Sequence, residues 1–172
     1  LTFYPERPMP KIFRLVKKGN LIEGVYEGET LNTPSMFCVA DALDSLKWIK
    51  EIGGLKETIR RSDINFQCLQ GWVDKTPWIE NLVSDPTNRS NTSVCLKFSD
   101  KRIVSLNKNE QTHFVKKFVN LLEAENAAFD IKGHRNAPPG LRIWCGATVN
   151  LDDIQNLLPW LEWCFQEIMS TY

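Results

Sequence analysis

The chain has 172 residues, enough for one domain or for a small domain joined to part of another. Hydrophobic residues make up 42% of it, which allows a buried core and argues against a disordered chain. The 21 basic residues balance 21 acidic ones, so we expect no general attraction to nucleic acid or to an anionic membrane.

The cysteines indicate a reducing compartment, and the lack of long apolar runs argues against a membrane-spanning protein. The five cysteines are widely spaced and include no CxxC pair, so we expect small buried side chains instead of a disulfide framework or a metal site. No apolar run is long enough for a membrane span, and no signal peptide opens the chain. We therefore predict a cytoplasmic, soluble protein without a metal site.

Short elements are expected at the start of the chain. Three prolines within residues 1–12 predict an extended, irregular segment. Residues 13–25 can form two short strands around a turn at Gly19-Asn20. The polar residues 29–34 predict a loop.

Two helices are predicted next. Thr33 or Ser35 can cap the first, and Gly53-Gly54 ends it. Its apolar residues recur at helical spacing: Met36, Val39, Leu43, Leu46 and Ile49. The second helix begins near Leu55 and ends near Pro77, a length that suits an element linking two lobes.

The pattern changes in the second half of the chain. Alternating apolar residues predict a strand over 92–98, and Phe114, Phe118 and Leu121 mark a helix. Two further strands are predicted at 129–132 and 141–145. Asn150 can cap a last helix. The order β-α-β-β-α describes an α/β sandwich in which helices pack on one face of an open sheet.

The densest polar cluster is Gly133-His134-Arg135 followed by Gly140-Leu141-Arg142. Arginine offers a planar fork of donors that suits phosphate and carboxylate, and a protonated histidine adds another donor. Strand alternation points Arg142 away from its apolar neighbours, and the turn can fold His134 and Arg135 back toward it, so that a ligand with two anionic groups is held at both ends. Composition alone favours the alternative that these are ordinary surface cations.

A second polar cluster, Asn32-Thr33-Pro34-Ser35, stands at a helix start. Amide, hydroxyl and free N–H groups at such a position can hold a phosphate. The alternative is a plain helix cap, which we favour from this segment alone.

Taken together, these features resemble the phosphoserine aminotransferase family. The resemblance lies in segments 9–15, 21–24, 29–36, 46–48, 52–54, 89–94 and 133–146, and it covers nearly the whole chain. The last segment is long and specific, so it favours ligand binding over a surface-cation role for the polar cluster.

The resemblance implies the C-terminal part of a fold-type I pyridoxal-phosphate aminotransferase, of class α/β. It implies three regions: residues 1–50 as the end of the large cofactor-binding domain, residues 51–78 as a linking helix, and residues 79–172 as the small α/β domain. The sandwich predicted above corresponds to this small domain.

The family exchanges an amino group between O-phospho-L-serine and 2-oxoglutarate, which gives 3-phosphohydroxypyruvate and glutamate in serine biosynthesis. His134 and Arg135 match positions that contact the substrate phosphate, and Arg142 matches the arginine that pairs with the α-carboxylate. Asn32 and Thr33 match the pair that reaches the cofactor phosphate of the neighbouring subunit. The resemblance therefore implies a homodimer with pyridoxal 5'-phosphate as cofactor.

Two departures from the family pattern bear on activity. In the family, the Schiff-base lysine lies upstream of the position of residue 1, so we expect the chain alone to be inactive. The turn reads Ala137-Pro138-Pro139-Gly140 where other branches carry glycines, which leaves open branch variation or a shifted substrate preference. Two other functions also stay open: a transaminase for another acidic substrate, and a non-catalytic module that binds a phosphorylated metabolite.

Overall fold

The computed structural model describes residues 15–30, 33–134 and 136–170. The chain divides into two compact units, Leu1–Trp48 and Ile49–Tyr172. Each unit is described by itself. The boundary between the units falls within α1, the helix Met36–Glu51.

The first unit holds a small hairpin, as the turn residues predicted. Strand β1 (Val16–Lys17) pairs antiparallel with β2 (Asn20–Leu21). Gly19 lies between them at φ +83°, a left-handed conformation that glycine adopts at little cost. A short 3-10 helix follows at Glu23–Glu27.

Helix α1 forms where the apolar periodicity predicted a helix, and the structure identifies its capping residue. Ser35 Oγ accepts a hydrogen bond from the Cys38 backbone N–H at 3.4 Å, so Ser35 acts as the capping side chain. The helix buries none of its residues, and Met36 and Phe37 are among the most exposed apolar side chains of the structure.

In the residues that the structure describes, the second unit contains four complete α-helices, a 3-10 helix at Pro86–Asn88 and a three-stranded sheet. In chain order the α-helices and strands are α2 (Gly54–Val73), β3 (Ile79–Asn81), β4 (Ser93–Phe98), α3 (Lys101–Val104), α4 (Lys108–Ala124), β5 (Leu141–Trp144) and α5 (Leu151–Met169). Asn107 and Glu110 form a capping box at the start of α4, and Asn150 and Asp153 form one at α5. The polar residues at these helix starts therefore fix where the helices begin.

The sheet has the order β3-β4-β5, and every pair is antiparallel. Val94 pairs with Ile143 and Leu96 with Leu141, so one face of the sheet is apolar and buried. Helices α2 and α4 both pack against α5. The core includes a stack of Trp78 on Phe165, whose ring centroids are 4.0 Å apart. The predicted α/β class, with helices on an open sheet, is confirmed.

Three details differ from the sequence prediction. The expected strand 129–132 forms only an isolated bridge between Lys132 and Leu141. Asp130 has a φ of +53°, which interrupts the extended backbone before Lys132. Strand β3 and helix α3 were not predicted, and α2 ends at Val73 instead of near Pro77 because a turn follows it. The observed order of the second unit is therefore α-β-β-α-α-β-α.

The prediction of buried cysteines is confirmed for two of the five thiols. The structure forms no disulfide, Cys145 and Cys164 are buried, and Cys68 and Cys95 are partly buried. Cys38 is exposed, against expectation. Across the residues that the structure describes, no helix is long and apolar enough to cross a membrane.

Candidate substrate-binding site

His134 lies on a closed loop that leads into β5. Gly133 N donates to Gly140 O at 2.9 Å, and Ala137 N donates to His134 O at 2.8 Å. A side chain at Gly140 would overlap the carbonyl oxygen of Leu96 in β4, so glycine is required there by close backbone approach. The loop base is thus fixed against the sheet.

His134 is exposed on this loop, and its ring is oriented by the backbone. The backbone N–H of Asn136 donates to His134 Nδ1 at 3.3 Å. An accepting Nδ1 places the proton of the neutral ring on Nε2, and no described residue bonds that nitrogen. His134 lines a polar cavity of about 500 Å³ together with Lys108, Thr112, Val115, Lys132, Gly133, Asn136, Ala137, Pro138, Pro139 and Gly140.

Arg142 lies in β5, where its neighbours Leu141 and Ile143 are buried on the opposite face. Its Nη2 lies 3.4 Å from Asp130 Oδ2. The Asp130 side chain is 89% exposed, so the pair is long and solvated and holds the guanidinium weakly. A ligand carboxylate can therefore displace Asp130 and take both guanidinium donors.

The cavity around Arg142 is largely apolar and measures about 670 Å³. Its other lining residues are Ser93, Ala127, Ala128, Phe129, Asp130, Ile131, Ile143, Trp144, Val149, Asp153, Ile154 and Leu157. The Asp153 carboxylate accepts from Asn150 N at 3.1 Å, so it already serves the α5 cap. Among the described lining residues Arg142 is the one cation, and a guanidinium beside an apolar wall suits an amino-acid carboxylate.

Asn65 of α2 anchors the chain just after β5. Its side chain is fully buried, and Nδ2 donates to Val149 O at 2.9 Å and to Cys145 O at 3.3 Å. Among the described residues, Asn65 Oδ1 has no hydrogen-bond partner. Sequence reasoning missed this residue, although an amide inside an otherwise apolar helix stripe was a usable signal. Asn65 positions the end of the strand that carries Arg142.

The thiol beside this anchor is unsuited to nucleophilic chemistry. Burial, with a smaller contribution from nearby Cys68, raises the pKa of Cys145 to about 12. The structure places no group of three or more metal-ligating side chains within the described segments.

Of the predicted cofactor residues, only Thr33 can be described. It is exposed and lies three residues before α1 begins. The first turn of α1 carries no acidic residue, and the hydroxyl of Ser35 is at hand, so this segment fits a phosphate group. Asn32 lies outside the described residues.

The structure places the predicted substrate residues on neighbouring segments but in separate cavities. His134 lines the polar cavity, and Arg142 lines the apolar one. Arg135 lies outside the described residues. Their joint role in holding one substrate stays a prediction. Lys108 and Lys132, which share the cavity of His134, were missed, although Lys132 stands two residues before His134 in the sequence.

Comparisons with known proteins agree on one enzyme. No family model matches the chain. The phosphoserine aminotransferases of Methanosarcina barkeri and Methanosarcina mazei are 43% and 42% identical to it over 95% of its length. The phosphoserine aminotransferase of Phocaeicola vulgatus is 28% identical over 81% of the chain. The chain spans 42% of the length of each Methanosarcina relative, which fits the predicted C-terminal portion.

Solved structures show the same fold. Phosphoserine aminotransferase from Bacillus circulans subsp. alkalophilus matches 83% of the chain with a TM-score of 0.67 at 23% identity. The pyridoxal-phosphate-bound enzyme from Trichomonas vaginalis matches 80% with a TM-score of 0.66 at 22% identity. The chain covers 36% of each of these structures. The predicted resemblance and fold type are confirmed.

Proposed function

We propose that this chain is the C-terminal part of a pyridoxal-phosphate-dependent phosphoserine aminotransferase. The whole enzyme would exchange an amino group between O-phospho-L-serine and 2-oxoglutarate, giving 3-phosphohydroxypyruvate and glutamate in serine biosynthesis. The observation that carries the proposal is the 43% identity to the Methanosarcina barkeri enzyme over 95% of this chain. Since the chain spans 42% of that relative, the activity is proposed for the whole protein.

In this proposal Arg142 binds the α-carboxylate of the substrate. The support is its exposed guanidinium, its weak pairing with Asp130 at 3.4 Å, and the apolar cavity beside it. A bidentate pair would fix the orientation of the amino acid as well as hold its charge. Both phosphoserine and glutamate carry this carboxylate, so Arg142 would serve both halves of the reaction.

His134 and Arg135 are proposed to bind the substrate phosphate. The loop backbone holds the His134 ring so that Nε2–H is available as a donor. His134 would thus distinguish phosphoserine from serine, which carries the same α-carboxylate but no phosphate.

Asn32 and Thr33 are proposed to hold the phosphate of the cofactor bound to the neighbouring subunit of a cytoplasmic homodimer. The support is the exposed Thr33 hydroxyl at the start of a helix whose first turn has no acidic residue. When bound, pyridoxal phosphate supplies the electron sink for amino-group transfer. The residues of this chain would only bind and orient the cofactor.

Steady-state kinetics of the complete enzyme test the substrate roles. Glutamate formation from 2-oxoglutarate is followed with phosphoserine as donor, and the reverse reaction is followed with glutamate. Arg142→Ala should raise KM for both donors by about 10- to 100-fold, because each loses a charge-assisted pair. Arg102→Ala is a matched control, since Arg102 is exposed and pairs only locally with Asp100.

Two results would count against the proposal. A wild-type enzyme that does not transaminate phosphoserine would refute the activity itself. For the phosphate role, the ratio of phosphoserine to serine turnover should fall in His134→Ala. An unchanged ratio would remove phosphate binding from His134 and favour another acidic substrate.

A further inference from the structure

Trp144 is a large aromatic residue that lies exposed beside Arg142. The two residues are separated by one position in β5, so their side chains project from the same face of the strand with Cα atoms roughly 7 Å apart. Both line the apolar cavity. Trp144 is 52% exposed, whereas its chain neighbours Ile143 and Cys145 are buried. A ligand that reaches the guanidinium of Arg142 therefore meets the indole as well.

The indole of Trp144 is held in one orientation by the turn 145–149 that follows β5. Its Nε1–H donates to Thr148 Oγ1 at 3.1 Å. The same edge of the ring lies against buried Gly146, where a side chain would overlap the indole. Because the ring N–H is already used within the turn, the ring offers a ligand its carbon surface instead of a polar group.

The turn is itself fastened to helix α2. Asn65 Nδ2 donates to Val149 O at 2.9 Å and lies 3.5 Å from Gly146 O. Arg61, one helical turn earlier, places its Nη1 3.5 Å from Ala147 O. Asn65 is fully buried, so water does not compete for its hydrogen bonds. The indole is thus pre-organised before a ligand arrives, which lowers the entropic cost of contacting it.

We infer that Trp144 is a specificity-determining residue of the carboxylate site. Its ring forms an apolar wall that contacts the hydrocarbon part of the substrate and keeps water from the ion pair between Arg142 and the carboxylate. Such a pair is stronger where water is excluded, because the effective dielectric constant falls. The role of Arg142 rests on the proposed function, whereas that of Trp144 is assigned from its position and contacts.

The first experiment measures binding of glutarate to the complete enzyme, with its cofactor, by isothermal titration. Glutarate has carboxylates and methylene groups but no amino or keto group, so it binds without turnover. Trp144→Ala should weaken glutarate binding by roughly five- to tenfold, the equivalent of burying about one or two methylene groups. Trp160→Ala, at a partly exposed tryptophan of α5 outside the cavity, should leave it unchanged. No glutarate binding by the wild type, or equal affinity in Trp144→Ala, would overturn the inference.

Salt separates this role from a merely structural one. Raising the salt concentration from about 0.05 M to about 0.5 M should weaken glutarate binding more in Trp144→Ala than in the wild type, because water and ions then reach Arg142. A variant that had only lost stability would keep the salt dependence of the wild type. Equal salt dependence in the two proteins would refute the exclusion of water.

The contact with Thr148 gives a second test that leaves Trp144 in place. Thr148→Val removes the acceptor of the indole N–H and should weaken glutarate binding by about two- to fourfold, because the ring loses its fixed orientation. Thr148→Ser keeps the hydroxyl and should bind glutarate as the wild type does. Equal glutarate affinities in Thr148→Val and Thr148→Ser would contradict the fixed wall.

Kinetics connect the wall to the proposed activity. Trp144→Ala should raise KM for phosphoserine and glutamate by similar factors with kcat unchanged, since both donors carry the α-carboxylate. A rise confined to phosphoserine would place Trp144 at the phosphate instead and overturn the inference. Failure of the wild type to transaminate phosphoserine would refute the proposed function alone, because the glutarate titration would still decide on Trp144.

Discussion

The carboxylate of Glu162 should be one of the most sensitive points for stability in the second unit. It lies on α5 and accepts hydrogen bonds from Trp72 Nε1 at 2.9 Å and from Trp78 Nε1 at 3.3 Å. The hydroxyl of Thr76 lies 3.3 Å from it as well. A single side chain thus joins α5 to the end of α2 and to the segment leading into β3.

The cost of Glu162→Ala can be worked out from these donors. Trp78 is 7% exposed, so its indole N–H would lose its acceptor away from water, at about 1–3 kcal/mol. Trp72 is only partly buried, so water can replace part of its bond, and the loss is about 1 kcal/mol. Thr76 keeps its bond to Trp72 O at 2.8 Å and adds little. The free energy of unfolding should fall by roughly 2–4 kcal/mol.

Urea unfolding followed by tryptophan fluorescence measures this change, and the affected indoles are themselves reporters. Glu167→Ala is the matched control, because Glu167 is exposed on the same helix and both substitutions change helix propensity equally. It should change the free energy of unfolding by no more than about 0.5 kcal/mol. Equal effects of the two substitutions would refute the reasoning.

Three further predictions follow from the site and its surroundings. Gly140→Ala should lower the free energy of unfolding by about 1–3 kcal/mol, since the new methyl group overlaps backbone of β4; an unchanged urea midpoint would contradict this. A thiol reagent at pH 7 should modify exposed Cys38 quickly and Cys145 only after unfolding, because burial raises the pKa of Cys145 to about 12. A hydrogen bond from Arg60 lowers the pKa of Glu57 to about 2, so its stabilising effect should be complete above pH 4.5 and lost as the pH falls toward 2. Titration of Glu57 by NMR near pH 4.5 would contradict that assignment.

Local patterns in the sequence were enough to predict most of the helices and the central strand. Alternation over 92–98 gave β4, because every second side chain of that strand is buried. Asn150 is the N-cap of α5 as expected, and the Asp153 carboxylate accepts a hydrogen bond from its backbone N–H at 3.1 Å. These features depend on residues close together in the chain.

Features that depend on distant contacts were missed. Strand β3 has three residues, too few to show alternation, and it exists because it pairs with β4. The segment 129–132 has strand-like composition, but Asp130 leaves the extended conformation and only Lys132 pairs. The sequence pattern predicted that His134 folds back toward Arg142, but it did not indicate that the two side chains line different cavities. That separation depends on where α4 and α5 pack.

The hydrogen bond from Gly133 N to Gly140 O closes the loop between these residues at its base. The strand register is fixed outside the turn, by Lys132 opposite Leu141 and by Leu96 opposite Leu141. Residues 134–139 can therefore be replaced by another sequence of equal length without moving Arg142 along β5. Substitutions confined to these six positions therefore change the chemistry of the loop while Arg142 keeps its place in β5.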